Sequence, residues 1–183
     1  KLMTVFQFTF VGAPMIWYGD EVGMWGADDP SNRKPMLWDD IKFDNPEDKP
    51  NKDILAHYKK IIAIRNTYPS LQFGIFKTIY TDNDKNVFVY LRKYLDDVVI
   101  VAINNGRKSQ KISFSLKEDL KDLTELFDIL NEKDYDFFDT IEDGLFLKKI
   151  RIKKPKKIFK IKNYLLSLEI PKKSARVLVK LKE

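Results

Sequence analysis

An aspartate and an arginine, Asp29 and Arg33, stand four residues apart in the stretch GADDPSNRKP (residues 26–35), directly after the apolar run GAPMIWYG. Carboxylate and guanidinium are planar groups that hydrogen-bond two atoms at a time. The pair therefore has two uses. Asp-Pro is a frequent turn opener, so Arg33 can bind Asp29 and pin the loop. Alternatively both side chains converge on a ligand that offers adjacent hydrogen-bonding groups. Trp25, just upstream, supplies an aromatic face that serves either a ligand or the core, where Trp38 is expected. Asp28 reads as a solvated neighbour.

Other chemistry has little to work with. The chain has no cysteine, which removes disulfides, thiolate nucleophiles and thiolate-bound zinc. Its one histidine, His57, falls on a helical pattern without a second His to share a metal, and reads as an ordinary helix residue. No cofactor or metal is expected within these residues. The first residue is Lys1 and no leader pattern follows, so the sequence reads as a piece of a longer protein of unreadable localisation. No apolar run reaches the ~18–20 residues of a membrane-spanning helix.

The net charge of +6 is unevenly spread: residues 1–70 carry 9 basic and 10 acidic side chains, residues 71–146 carry 10 and 15, and residues 147–183 carry 14 and 2. The basic stretch KKIRIKKPKKIFKIK alternates Ile with Lys, as a half-buried strand with a lysine-guarded edge does. Nucleic-acid binding is not expected, because no recognition motif accompanies the charge.

These side chains need elements to hold them. Residues 1–11 allow a helix, and residues 14–18 read as a short buried strand. NKDILAHYKKIIAIRNTYPSL gives a helix with Asn51 or Asp53 as cap and Pro69 as its end. GIFKTIY, NVFVYLR, VVIVAIN and KISFSL then read as strands, with Asn105-Gly106 as a tight hairpin turn. TELFDIL, GLFLKKIRI, KKIFKIKNYLLSLEI and SARVLVKL add more, while the acidic stretch NEKDYDFFDTIEDG reads as a loop. Residues 71–183 thus predict an antiparallel β-sandwich of about seven or eight strands. The first 70 residues cannot cover both faces of a buried strand, and read as one strand-loop-helix unit of a larger parallel assembly.

The stretch GAPMIWYGDEVGMWGADDPSNRKPMLW, residues 12–38, resembles the last barrel-strand segment of the α-amylase superfamily, in its neopullulanase and cyclomaltodextrinase branch. The family pattern has Gly-x-Pro-x-Ile-Tyr-Tyr-Gly-x-Glu and then Asp-Pro-x-x-Arg-x-Pro-Met-x-Trp. Trp17 replaces the usual Tyr, an aromatic exchange in what is expected to be a core strand. The resemblance is looser over the following helix and architectural beyond it. It implies that residues 1–70 are the last βα unit of a (β/α)8 barrel and residues 71–183 its C-terminal β domain. Gly12, Pro14, Gly19 and Glu21 would close the barrel and shape the loop.

Barrel active sites lie in the loops after the strands. The resemblance therefore implies a substrate-binding role for Asp29 and Arg33, on the glycone side of an α-glucan oligosaccharide, with Trp25 beside them. It also implies that the catalytic nucleophile, the acid and the third Asp of an Asn-His-Asp motif lie upstream, since no such motif occurs here. The longer protein would cleave α-glucosidic bonds with retention, through two carboxylates ~5–5.5 Å apart. The 183-residue piece would cleave nothing. A free-standing carbohydrate-binding β module and a related transglycosidase remain as alternatives. Association of the piece with itself, through surface that the missing part would cover, is a further expectation.

Overall fold

The computed structural model describes residues 1–42, 45, 48–116 and 120–180. The described helical elements precede the strands. Helix α1 (Leu2–Thr9) has no side-chain cap and no acid in its first turn. A helix so short is held by packing rather than by propensity, and it buries Val5 and Phe8. Helix α2 (Lys52–Thr67) starts where expected, because the Asn51 side chain accepts the N–H groups of Asp53 and Ile54. Asp53 itself sits in the first turn and pairs with the Lys1 ammonium. The helix stops at Tyr68, and Pro69 opens the short α3 (Pro69–Phe73), a position where its missing N–H leaves no bond unmade.

The rest is antiparallel β structure: β1 (Ile75–Asp82), β2 (Val87–Tyr94), β3 (Asp97–Asn104), β4 (Gln110–Ser115), β5 (Glu125–Asp128), β6 (Tyr135–Glu142), β7 (Leu145–Ile152), β8 (Ile158–Lys162), β9 (Leu165–Ile170) and β10 (Ser174–Val179). Eight of them form one sheet in the order β1-β2-β3-β10-β5-β8-β9-β4, and β6-β7 forms a separate hairpin. The sandwich is therefore made by one sheet that bends over its own core. Val89, Leu91, Ile100, Ala102 and Leu178 face Ile112, Phe114, Leu126, Leu166 and Leu168 inside the bend. The opposite face of β2, β3 and β10 carries Tyr90, Val99, Val101 and Val177, which pack on Val5, Phe8, Ile61 and Ile64 of the helices. A strand buried on both sides needs an unbroken apolar run, and VVIVAI in β3 supplies it. Each fully buried Val or Ile there contributes about 1.5–3 kcal/mol.

Several expectations change. Asn105-Gly106 is not a hairpin turn: β3 pairs with β2 and β10, β4 lies at the far edge beside β9, and neither residue has a positive φ. Gly106 is needed for space, since a Cβ there would sit 2.7 Å from the Lys85 carbonyl oxygen. Asn104 holds this corner, accepting the Gly106 N–H at 2.8 Å and donating to the Lys108, Ile170 and Pro171 carbonyls at 2.9–3.0 Å.

The acidic stretch expected as a loop contains β6. Its acids are matched across the hairpin by the basic strand β7 and its continuation, Asp139 to Lys148 at 2.7 Å, Asp136 to Lys153 at 3.2 Å and Glu142 to Lys149. The tight turn is Asp143-Gly144, with φ of 50° and 78°. The lysine-rich stretch divides around Pro155 into β7 and β8. SARVLVKL forms β10, while its Leu181 lies outside the described residues.

The expected barrel strand at residues 14–18 is not formed as a strand. Met15, Ile16, Trp17 and Tyr18 are exposed, and Trp17, expected in the core, is 58% accessible. A barrel strand owes both its hydrogen bonds and its burial to parallel neighbours on either side. None of the described residues supplies one. The described residues contain no helix long and apolar enough to cross a membrane.

Candidate functional site

The chain enters the site from α1. Beyond Thr9 it turns extended at Phe10, passes Gly12 at φ +100° and runs to a 3-10 turn (Asp20–Val22). Gly19 precedes that turn at φ +94°, a conformation only glycine adopts without strain. The Glu21 carboxylate accepts the Gly19 N–H at 2.9 Å, and the Asn51 N–H donates to the Val22 carbonyl at 2.8 Å. Glu21 and Gly19 thus shape the loop locally.

Residues 28–33 form a compact turn. Both the N–H and the hydroxyl of Ser31 donate to the Asp28 carbonyl, and the Arg33 N–H donates to the Pro30 carbonyl at 3.0 Å. The turn brings Asp29 and Arg33 together. Arg33 Nε lies 2.7 Å from Asp29 Oδ1 and Nη2 donates to Oδ2 at 3.2 Å, with the two side chains 73% and 59% accessible. This is the planar two-point match of guanidinium and carboxylate. Both uses foreseen for the pair are compatible with it: the fork pins the turn, and its exposure leaves it open to a ligand. In water such an exposed pair contributes about 0–1 kcal/mol to stability, too little to account for the loop by itself.

Trp25 is 70% accessible. Its ring carries the Lys34 ammonium at 5.1 Å from the centroid, and Lys34 reaches Asp48 at 3.7 Å. Lys34 follows Arg33 directly, so Trp25 belongs to the same loop surface. The Lys34 backbone oxygen also accepts the Tyr18 hydroxyl at 3.1 Å. Trp38, expected in the core, is exposed. The packing that would bury it is not supplied by the described residues. Phe43, Asp44, Pro46 and Glu47 of the long loop lie outside the described residues.

Among the described residues no group of three or more His, Cys, Asp or Glu side chains could hold a metal ion. His57 Nε2 lies 3.2 Å from the Lys1 carbonyl oxygen, and burial pulls its pKa down. Asp128 is the carboxylate that burial pushes up, yet it is held by Asn131, Arg176 and the Val177 N–H, which marks it as structural. The buried Arg92 was not foreseen as a partner of this region. A charged residue at an inward position of an otherwise apolar strand was its signal in NVFVYLR. It donates to the Thr9, Phe10 and Gly74 carbonyls.

Residues 74–140 match the alpha-amylase C-terminal domain. The cyclomaltodextrinase of Thermoanaerobacter pseudethanolicus is 42% identical over 126 residues, which are 69% of this chain and 20% of that protein. Neopullulanase 2 of Thermoactinomyces vulgaris is 34% identical over 118 residues, 64% of this chain and 19% of its own length. The crystal structure of an Anoxybacillus α-amylase matches with a TM-score of 0.73 at 21% identity, covering 100% of this chain and 32% of that one, an agreement of fold. The chain spans about a fifth of the length of these curated relatives. Sequence and fold together place this chain in the α-amylase family, with cyclomaltodextrinases and neopullulanases among its relatives.

Proposed function

We propose that the chain is part of an α-glucan hydrolase of neopullulanase or cyclomaltodextrinase type. Residues 1–70 contribute the last βα unit of its catalytic barrel, and residues 71–183 its C-terminal β domain. The nucleophile, the acid and the third carboxylate of a retaining mechanism lie on residues outside these 183. Asp29 and Arg33 grip adjacent hydroxyls of the glycone-side sugar, and Trp25 offers a ring face beside them.

The observation that carries this reading is the exposed two-point fork of Asp29 and Arg33, at the place where the family's substrate loop is expected. Vicinal sugar hydroxyls are matched by planar groups of this kind. The relatives' names support the substrate class. The exposed Met3, Val11, Met15 and Trp17 suit a surface that the rest of a barrel covers, and in isolation they favour self-association.

The test is release of reducing sugar from maltotriose, cyclodextrin and pullulan by the longer protein and by the 183-residue chain. Activity in the longer protein alone is expected, and activity in the short chain would overturn the assignment of the chemistry. In the longer protein, Asp29→Ala and Arg33→Ala should each raise KM for maltotriose about tenfold or more. An unchanged KM would leave the fork as a turn clamp. Product analysis separates hydrolysis from transglycosylation, since both share the covalent intermediate and differ in the acceptor that reaches it.

A further inference from the structure

The last carbonyls of a helix have no partner within the helix and carry its negative dipole end. At the end of α1 two guanidinium groups meet them. Arg65 of α2 donates to the Phe8 oxygen at 2.9 Å and to the Gly12 oxygen at 2.7 Å. Arg92 of β2 donates to the Thr9 oxygen at 2.9 Å, the Phe10 oxygen at 2.7 Å and the Gly74 oxygen at 3.0 Å. Among the described residues neither arginine has a carboxylate within ion-pair distance. Arg92 is 1% accessible, and among the described residues its Nε has no partner. Burial lowers the pKa of both, and the neighbouring Arg92 charge lowers that of Arg65 further.

A buried cation without a counter-ion carries a large desolvation cost, which the carbonyl oxygens it binds offset only in part. What this one does achieve is direction. Five backbone oxygens from two places in the chain, the exit of α1 and the α3–β1 joint, are drawn to two fixed forks. Hydrogen bonds continue from there toward the site. Gln7 donates to the Met15 oxygen at 2.5 Å, and the Tyr18 hydroxyl donates to the Lys34 oxygen, next to Arg33. Between Gly12 and Tyr18 no strand among the described residues guides the backbone, so these side chains do.

We infer that Arg92 is a positioning residue through which the β domain, with Arg65 beside it, sets the course of the chain leading to the Asp29–Arg33 fork. The consequence for sugar binding rests on the proposed function, whereas the mechanical claim does not. The chain's three tryptophans, Trp17, Trp25 and Trp38, all lie on this segment. Their emission therefore reports it alone, while far-UV circular dichroism reports the sheet.

The test uses the 183-residue chain with Trp17→Phe and Trp38→Phe, so that Trp25 remains, and measures its fast anisotropy decay. Arg92→Met should enlarge the fast component about twofold with the circular dichroism spectrum retained, and Arg92→Lys should fall between it and the parent. Tyr18→Phe should act in the same direction, and should add little in combination with Arg92→Met. An unchanged Trp25 decay in Arg92→Met, or full additivity in the double variant, would overturn the inference. If Arg92→Met does not fold, Arg65→Met and Tyr18→Phe decide by the same readout. In the longer protein Arg92→Lys should raise KM for maltotriose with kcat largely kept. A parent without activity on α-glucans, together with a Trp25 response, would sink the functional reading and leave the clamp standing.

Discussion

Two apolar runs meet opposite fates in this molecule. VVIVAI in β3 is buried along its whole length, whereas PMIWY at residues 14–18 stands largely in solvent. The difference lies in the neighbours. β3 has β2 on one side and β10 on the other, so each backbone group finds a partner and both faces are covered. Among the described residues no strand lies beside residues 14–18; the Gln7 side chain holds the Met15 oxygen, and the arginines at the end of α1 hold the chain just before, at Phe10 and Gly12. Apolarity says that a segment needs covering. Which surface covers it depends on hydrogen-bonding partners from elsewhere in the sequence.

The largest test of this contrast is Ile100→Ala, which removes a fully buried side chain at the centre of β3. It should lower stability by about 2–5 kcal/mol, read as a reduced urea midpoint with an unchanged slope. A loss as small as that of a surface substitution would mean that the sheet is not the stable part of the molecule.

A smaller effect comes from Lys60, on the buried side of α2. Its ammonium donates to the Glu132 carbonyl and lies 4.4 Å from the Tyr135 ring centroid. Burial pulls its pKa down to about 8, against about 10.4 in an unfolded chain. Between those values the unfolded chain holds a proton that the folded chain has released, so stability rises with pH. The gain from pH 8 to 9.5 should be about 1–2 kcal/mol and should vanish in Lys60→Met. A flat profile in the parent would refute the burial of the charge. The smallest effect is expected for Trp17→Ala, within about 0.5 kcal/mol in the 183-residue chain. A loss comparable to that of Ile100→Ala would show that residues 14–18 are covered after all.

Local chemistry made much of the fold readable. Asn51 and Pro69 bracket α2 because capping and the missing proline N–H act within a few residues. Alternation marks the strands whose one face is buried, such as β4 and β9. β6 escaped because its acids are satisfied by β7, a partner in space, although Asp143-Gly144 marked the turn. Asn105-Gly106 misled for the converse reason: the dipeptide suits a hairpin, but the Asn104 side chain fastens the chain to β9's end and sends it across the sheet. At the site, the spacing of Asp29 and Arg33 already contained their pairing. The part played by Arg92 needed the fold, because its oxygen partners lie more than eighty positions away at Thr9 and Phe10.

The place of β10 has a consequence for the molecule's birth. β10 is the strand that joins β3 to β5, yet its residues are made about seventy positions after β3 ends. A ribosome adding ~5–20 residues per second leaves that edge of β3 unpaired for roughly 4–14 seconds. During that interval VVIVAI is an unpaired, uncharged strand edge, open to pairing with a neighbouring nascent chain. Yield in the cell should therefore respond to translation speed between codons 104 and 174, and to the supply of holding chaperones, more than to the stability of the finished sheet.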